Sequence, residues 1–532
     1  MTDARTNGFT TPNSAVLSEL LPATGTRVEI VAAEESSSLT DLEADCLLVA
    51  LLDGDDGDLE LVTSPALGDK AGDVLALLEA VGASAKAEKV TRVPAPEGLG
   101  VTSVAAVGLG DADPDAEAIR RASGSAARAL GSVGHVVTTL GQLDAAAAAE
   151  GFGMGAYAYD GLKKKSAADD EASESTDDSA SGTPRTLTVL GATEAQAERS
   201  GHVIDAVATA RDLVNTASSH LYPETFAAVA AALGESAGIE VEVLDDEALA
   251  SGGFGGLTAV GTGSIRGPRL VRMSWKGGAG ENGSGTDAAA KVALVGKGVT
   301  FDTGGISLKP GASMENMISD MGGAGAVIAT VVLAARLGVA VPVTATIPMA
   351  ENMPGGRAYR PGDVITQYGG KTVEILNTDA EGRLILADAL VRACEDAPTH
   401  VIDTATLTGA QLVALGGRTP GVLGTDDFRD RVAELSREVG EGGWAMPIPE
   451  QLAEGLKSPV ADLRNVTNSR EGGMSVAAAY LREFVTDDVE WVHIDVAGPA
   501  FNTNSPWGYT PKRATGVPVR TMLAAIEDLA RG

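Results

Sequence analysis

Only two cysteines, Cys46 and Cys394, occur in 532 residues. They support no disulfide framework and no zinc-thiolate spacing, which points to a reducing, cytoplasmic setting. Basic residues are also scarce: 40 Lys and Arg stand against 73 Asp and Glu, for a net charge of −33. Phosphate contacts need Lys and Arg, so this balance disfavours nonspecific nucleic-acid binding and favours solubility. Aromatic residues make up 4% of the chain and hydrophobic residues 44%. The cores must therefore be aliphatic and tightly packed, with heavy use of Ala and Gly. Long apolar runs are missing. The longest, 324–335, stops at Arg336, short of the ~20 residues that span a bilayer, so no membrane role is expected. Residues 1–25 lack the apolar segment of a signal peptide.

The five histidines, His135, His202, His220, His400 and His493, are scattered. No His-Glu-x-x-His motif is present, which excludes the one-zinc protease arrangement. His493, inside Trp491-Val492-His493-Ile494-Asp495, reads as a satisfied core histidine. Gly296-Lys297 lacks the two partners of a phosphate-binding loop, because Lys291 and Gly298 occupy the positions that need Gly and Ser or Thr. No nucleophile elbow of a serine hydrolase is read in the chain.

What is present is an alternation of short apolar runs with Ala-rich helical stretches. It predicts an α/β protein of two domains, a smaller N-terminal one and a larger C-terminal catalytic one with a central mixed sheet flanked by helices. Residues 1–24 read as a disordered tail and 25–193 as the N-terminal domain. Within that domain, 163–184 carries no core residue and reads as a disordered insertion. A linking helix is expected over 194–214, and the catalytic domain over 215–532. No internal repeat is found.

One stretch stands out: Asn377-Thr378-Asp379-Ala380-Glu381-Gly382-Arg383-Leu384. Alternate residues of an extended segment face one side, so Asp379 and Glu381 can address one centre. A helix starting near Gly382 turns its positive end towards the same place. Upstream, Lys297, Asp302, Lys309 and Asp320 also interrupt apolar sequence. Charges are rarely buried unless paired or bound to metal. A shared two-metal site, its ions ~3.5–4 Å apart, would use all four carboxylates and points to metal-assisted hydrolysis.

Three blocks, VGKGVTFDTGGISLKP, MISDMGGAGAV and NTDAEGRLILADAL, closely resemble the leucyl (cytosol) aminopeptidase family of two-metal exopeptidases. The likeness runs through essentially all of 205–532. In the N-terminal domain only the general α/β pattern matches, and the insertion departs from the family's usual shorter loop. The resemblance implies a metal-dependent aminopeptidase that releases leucine and other N-terminal residues from peptides. Position by position, it implies Asp302 and Glu381 as bridging ligands. Asp379, with its backbone carbonyl, would complete one metal site, and Lys297 and Asp320 the other. Lys309 would polarise the substrate, and Arg383 would hold a bicarbonate ion acting as general base. Met317, Thr406 and Gly409, with Ala500, would line the pocket for the N-terminal side chain. Mn²⁺ or Zn²⁺, and also Mg²⁺, suit these ligands. A homohexamer engaged in intracellular peptide turnover is implied in the same way. Two rivals remain open: a two-metal phosphoesterase, and a noncatalytic relative that keeps the fold.

Overall fold

A computed structural model describes residues 12–54, 58–110, 113–163, 186–278 and 290–531. Two compact units emerge. The first holds Ala23–Ala208 and Asn504–Lys512, and the second holds Asn13–Pro22, Thr209–Thr503 and Arg513–Gly532.

The first unit is built on seven strands: β1 (Glu29–Ala33), β2 (Cys46–Asp53), β3 (Leu59–Leu61), β4 (Val90–Pro94), β5 (Ser103–Gly110), β6 (His135–Thr138) and β7 (Thr186–Leu190). Their order is β1-β7-β6-β2-β5-β4, with β3 paired to β2. All pairs along that order are parallel except β4 with β5. The apolar run of β2 explains its central place, since a strand covered on both faces needs no polar alternation. Cys46, Leu48 and Ala50 join the core on one face, and Leu47, Val49 and Leu51 the core on the other. The helix Ala116–Ala129 starts where the Asp115 side chain accepts the Ala118 N–H at 2.7 Å, an N-cap that satisfies an otherwise orphaned donor.

The second unit carries a mixed sheet. Its strands are β8 (Glu240–Leu244), β9 (Arg269–Trp275), β10 (Val292–Gly296), β11 (Gly298–Asp302), β12 (Val343–Asn352), β15 (His400–Ala405), β16 (Gly421–Gly424), β17 (Trp444–Ala445) and β19 (Glu490–Asp495). A separate small sheet uses β13 (Val364–Thr366), β14 (Thr372–Glu374) and β18 (Leu463–Arg464). The large sheet runs β17-β16-β19-β15-β10-β12-β9-β8, and β11 also pairs with β12. Its centre, β19-β15-β10-β12, is parallel, so those strands end at one common edge. The helices Gly322–Arg336 and Gly382–Cys394 both begin beside that edge, and residues Gly322 to Ala334 of the first are all buried. The stretch Met314–Arg336 is long and apolar enough to cross a membrane, but it is a mostly buried core element here.

Three expectations meet a different chain. Residues 12–20 of the expected tail form a helix, and Leu17 and Leu21, one turn apart, are buried. That spacing is an apolar anchor too short to register against polar flanks. The expected linking helix is a single helix, Glu194–Asn215, and the division between the units falls inside it, after Ala208. The catalytic span is also interrupted, because Asn504–Lys512 groups with the first unit. Residues 1–11 and nearly all of the insertion, from 164 on, lie outside the described residues.

Candidate metal centre

Lys297 follows β10 directly, and its backbone N–H still donates to Thr404 of β15 at 3.1 Å. Its side chain runs into the protein and is 3% exposed. The ammonium lies 2.8 Å from Asp320 Oδ1 and 2.8 Å from Glu381 Oε1, and donates to the Thr406 carbonyl at 2.9 Å. Gly382 makes room for it: a β-carbon there would sit 2.6 Å from Lys297 Cε. Gly323 has a similar duty, since a β-carbon would meet the Thr404 carbonyl at 2.1 Å. Small residues thus bring both helix starts up to the strand ends.

Lys309 lies across from this arrangement. Its ammonium is 2.8 Å from Asp302 Oδ2 and also touches Asp379 Oδ1. Asp302, Asp379 and Glu381 each place a carboxylate oxygen within 4.8 Å of the others. Four carboxylates therefore share a small, mostly buried space with two ammonium groups. Two oxygens, Asp320 Oδ2 and Glu381 Oε2, are buried without a hydrogen-bond partner among the described residues.

The electrostatics register this crowding. Burial, then the charge of Glu381, pushes the Asp302 carboxyl above its usual range. Burial pushes Asp320 well up, with Glu381 and Asp302 adding to it against the pull of Lys297. Asp379 is raised by burial as well. Burial works to lower Lys297, but Asp320, Glu381 and Asp302 outweigh it and hold the ammonium charged. Lys309 is held up against burial chiefly by Asp302 and Glu381. Carboxylates this close resist ionising together unless more positive charge is supplied. The donor set is rich in hard oxygen, has buried oxygens without a hydrogen-bond partner among the described residues and carries surplus negative charge. It fits divalent cations.

Arg383, on the first turn of its helix, is buried, and burial lowers the pKa of its guanidinium. Nη1 donates to the Asn465 carbonyl at 2.8 Å, whereas Nε has no hydrogen-bond partner among the described residues. The residues expected to line the side-chain pocket fall on several elements. Thr406 touches the cluster, its hydroxyl donating to Asp320 Oδ1 at 2.9 Å. Thr406 and Ala500 approach each other at Gly322, where a β-carbon would lie 3.5 Å from Thr406 Cγ2 and 3.2 Å from Ala500 Cβ. Met317 is half-buried, and its carbonyl accepts the Asp320 N–H at 3.2 Å. Gly409, the first residue of the helix Gly409–Leu415, is exposed, and a β-carbon there would meet open space.

Sequence reasoning gave no role to several groups that border the cluster. Asn352 bonds Asp302, and Tyr359 bonds the peptide before Asp379. Asn352 falls in Glu351-Asn352-Met353-Pro354, within the span 205–532 over which the family likeness runs, which was its one available signal. His493 is wholly buried, with Nδ1 2.5 Å from Asp403 Oδ1, while Trp491 donates to Asp403 Oδ2 at 2.7 Å. One expectation needs correction: Gly234-Glu235-Ser236-Ala237-Gly238 does have the Gly-x-Ser-x-Gly spacing. Ser236 ends the helix Pro223–Ser236, where its hydroxyl donates to the Leu233 carbonyl at 2.8 Å. A nucleophile elbow is a strand-to-helix turn, so this serine is a helix-end residue.

Fold and donor set define a class, a metal-dependent hydrolase with its site at the carboxyl edge of parallel strands, where open α/β sheets bind ligands. The sequence description of the cytosol aminopeptidase family matches with its catalytic domain over residues 208–523 and with its N-terminal domain over 60–166. A "Probable cytosol aminopeptidase" of Rhodococcus erythropolis is 58% identical, covering 92% of this chain and 95% of its own. Another of the same description, from Corynebacterium glutamicum, is 53% identical over 96% and 98% of the two chains. Among solved structures, the bottromycin maturation enzyme BotP, also determined in complex with Mn, is similar with a TM-score of 0.79 and 34% identity, covering 92% of this chain and 100% of its own. A mutant tomato leucine aminopeptidase is similar with a TM-score of 0.81 and 28% identity, over 96% and 99%. The chain belongs to the cytosol aminopeptidase family and is a peptidase.

Proposed function

We propose that the protein is an aminopeptidase that removes N-terminal residues, leucine among them, from peptides in intracellular turnover, using two divalent cations. The observation that carries this reading is the interlocked cluster, four carboxylates around two lysines with buried oxygens left unpartnered. Asp302 and Glu381 would bridge the cations, Asp379 would complete one site, and Lys297 with Asp320 the other. Mn²⁺, present in a BotP structure, is the cation of choice, with Zn²⁺ the alternative. When bound, the cations would activate water as a nucleophile and bind the substrate's free α-amine and scissile carbonyl.

The chain's own groups then divide the remaining work. Lys309 is the more exposed of the two lysines, at 23% of its side chain, so it can meet a substrate arriving from solvent. Its ammonium stabilises the oxyanion as charge develops, a contribution of roughly 10²–10³ in rate for one such donor. Arg383 has a buried N–H to spare, which suits it to hold bicarbonate, an anion that would accept the proton released by the attacking water. Thr406 and Ala500, with Met317 and Gly409, would border the N-terminal side chain. A cytoplasmic homohexamer completes the proposal on family kinship.

Hydrolysis of leucine p-nitroanilide and of p-nitrophenyl phosphate, each with Mn²⁺, tests the reading. Release of p-nitroaniline with no phosphate-ester cleavage is expected. Cleavage of the phosphate ester alone would make the protein a phosphoesterase, and cleavage of neither would make it a noncatalytic relative.

A further inference from the structure

The oxygen of Asp302 that faces away from Lys309 is fully engaged. Oδ1 accepts the Gly304 N–H at 2.8 Å and the Asn352 side-chain amide at 2.8 Å. The same Asn352 Nδ2 also donates to the Thr378 carbonyl at 3.0 Å. That carbonyl accepts a second bond, from the Tyr359 hydroxyl, at 2.8 Å. Asn352 ends β12 and is completely buried, and Tyr359 is 6% exposed. One amide nitrogen thus ties the end of β11 to the peptide that immediately precedes Asp379.

We infer that Asn352, supported by Tyr359, is a positioning residue that fixes Asp302 and Asp379 relative to each other so that both address one cation. The inference rests on the metal-centre reading above. Its physical content is directional. With Oδ1 held by two N–H donors, Asp302 cannot rotate to exchange its oxygens, and Oδ2 stays turned towards Lys309 and the cluster. With the Thr378 carbonyl held from two sides, the following residue is presented in one orientation. An amide suits this position because its single NH₂ group serves both acceptors and adds no charge. Aspartate would add a fifth carboxylate to an overcrowded space, and leucine would leave two buried acceptors short of a donor. Losing a group that orients a metal ligand in this way costs affinity for the ion.

The test uses the full chain, stripped with chelator, and its Asn352→Leu and Tyr359→Phe variants. Mn²⁺ binding is measured by calorimetric titration, and the melting temperature of each stripped protein is recorded. Asn352→Leu is expected to weaken Mn²⁺ binding about 10–100-fold, and Tyr359→Phe by a smaller factor in the same direction. Added Mn²⁺ should restore the turnover of either variant towards wild type. Should Asn352→Leu not fold, Tyr359→Phe decides by itself. Wild-type affinity in the folded variants, even with a lowered melting temperature, would leave these residues merely structural and overturn the inference. Failure of the wild type itself to bind Mn²⁺ would instead overturn the metal-centre reading on which the inference stands.

Discussion

Lys297 sits in the cluster as an ammonium between Asp320 and Glu381. A ligand to a cation must offer a lone pair, so the ion has to displace a proton that its neighbours hold firmly. Arginine keeps the charge and cannot give up its proton in proteins. Lys297→Arg should therefore fold and retain about one tightly bound metal per chain instead of two, with activity reduced more than about 100-fold. Metal analysis after dialysis checks this, and two tight ions with near-normal turnover would make Lys297 an ion-pair partner only. At this scale the sequence spoke clearly wherever charge interrupted apolar runs, as at Asp379 and Glu381. It was silent on Asn352, because an uncharged amide acquires its place only when β11, β12 and the loop before Asp379 converge.

The helix Gly382–Cys394 links the cluster to the interior of the catalytic unit. Its boundaries could be read from glycine and the apolar run that follows, but one of its residues defies the pattern. Asp388 is fully buried in the middle of the helix. Its carboxylate accepts the Leu257 and Tyr368 N–H groups, each at 2.8 Å, and the side-chain amide of Gln367 lies against it. Burial outweighs these bonds and pushes its pKa up to about 7. The folded state therefore holds a proton that the unfolded chain releases near pH 4. The resulting stabilisation is complete below pH 4, declines as pH rises towards 7 and is absent above. Asp388→Asn has no such proton, so the melting temperature of wild type minus that of the variant should fall between pH 4 and 7 and then level off. A difference that stays constant with pH would show that Asp388 is ionised throughout. By contrast, the helix Pro12–Leu20 escaped the sequence reading because one short apolar group, Val16, Leu17, Leu20 and Leu21, spans too few turns to carry a periodic signal.

Over the whole molecule, the alternating pattern was enough to foresee two α/β units and the mixed sheet of the second. The grouping of Asn504–Lys512 with the first unit was not legible, because it depends on tertiary packing and not on composition. The segment 166–182 lies outside the described residues, and its sequence offers no large apolar side chain whose burial could offset the entropy of ordering it. Deleting 166–182 should leave turnover within about twofold and the state of association, whatever its order, unchanged, as read by assay and light scattering. Loss of either would give the segment a working role. The central claim is that this one cluster binds divalent cations and, through them, cleaves peptides from a free N-terminus. It is tested most directly by following leucine p-nitroanilide hydrolysis as Mn²⁺ is titrated into chelator-stripped protein, beside the same substrate with its amine acetylated. The account predicts no activity in the stripped protein, a rise that saturates near two ions per chain, and no cleavage of the acetylated compound. Full activity without metal, or equal cleavage of both compounds, would contradict it.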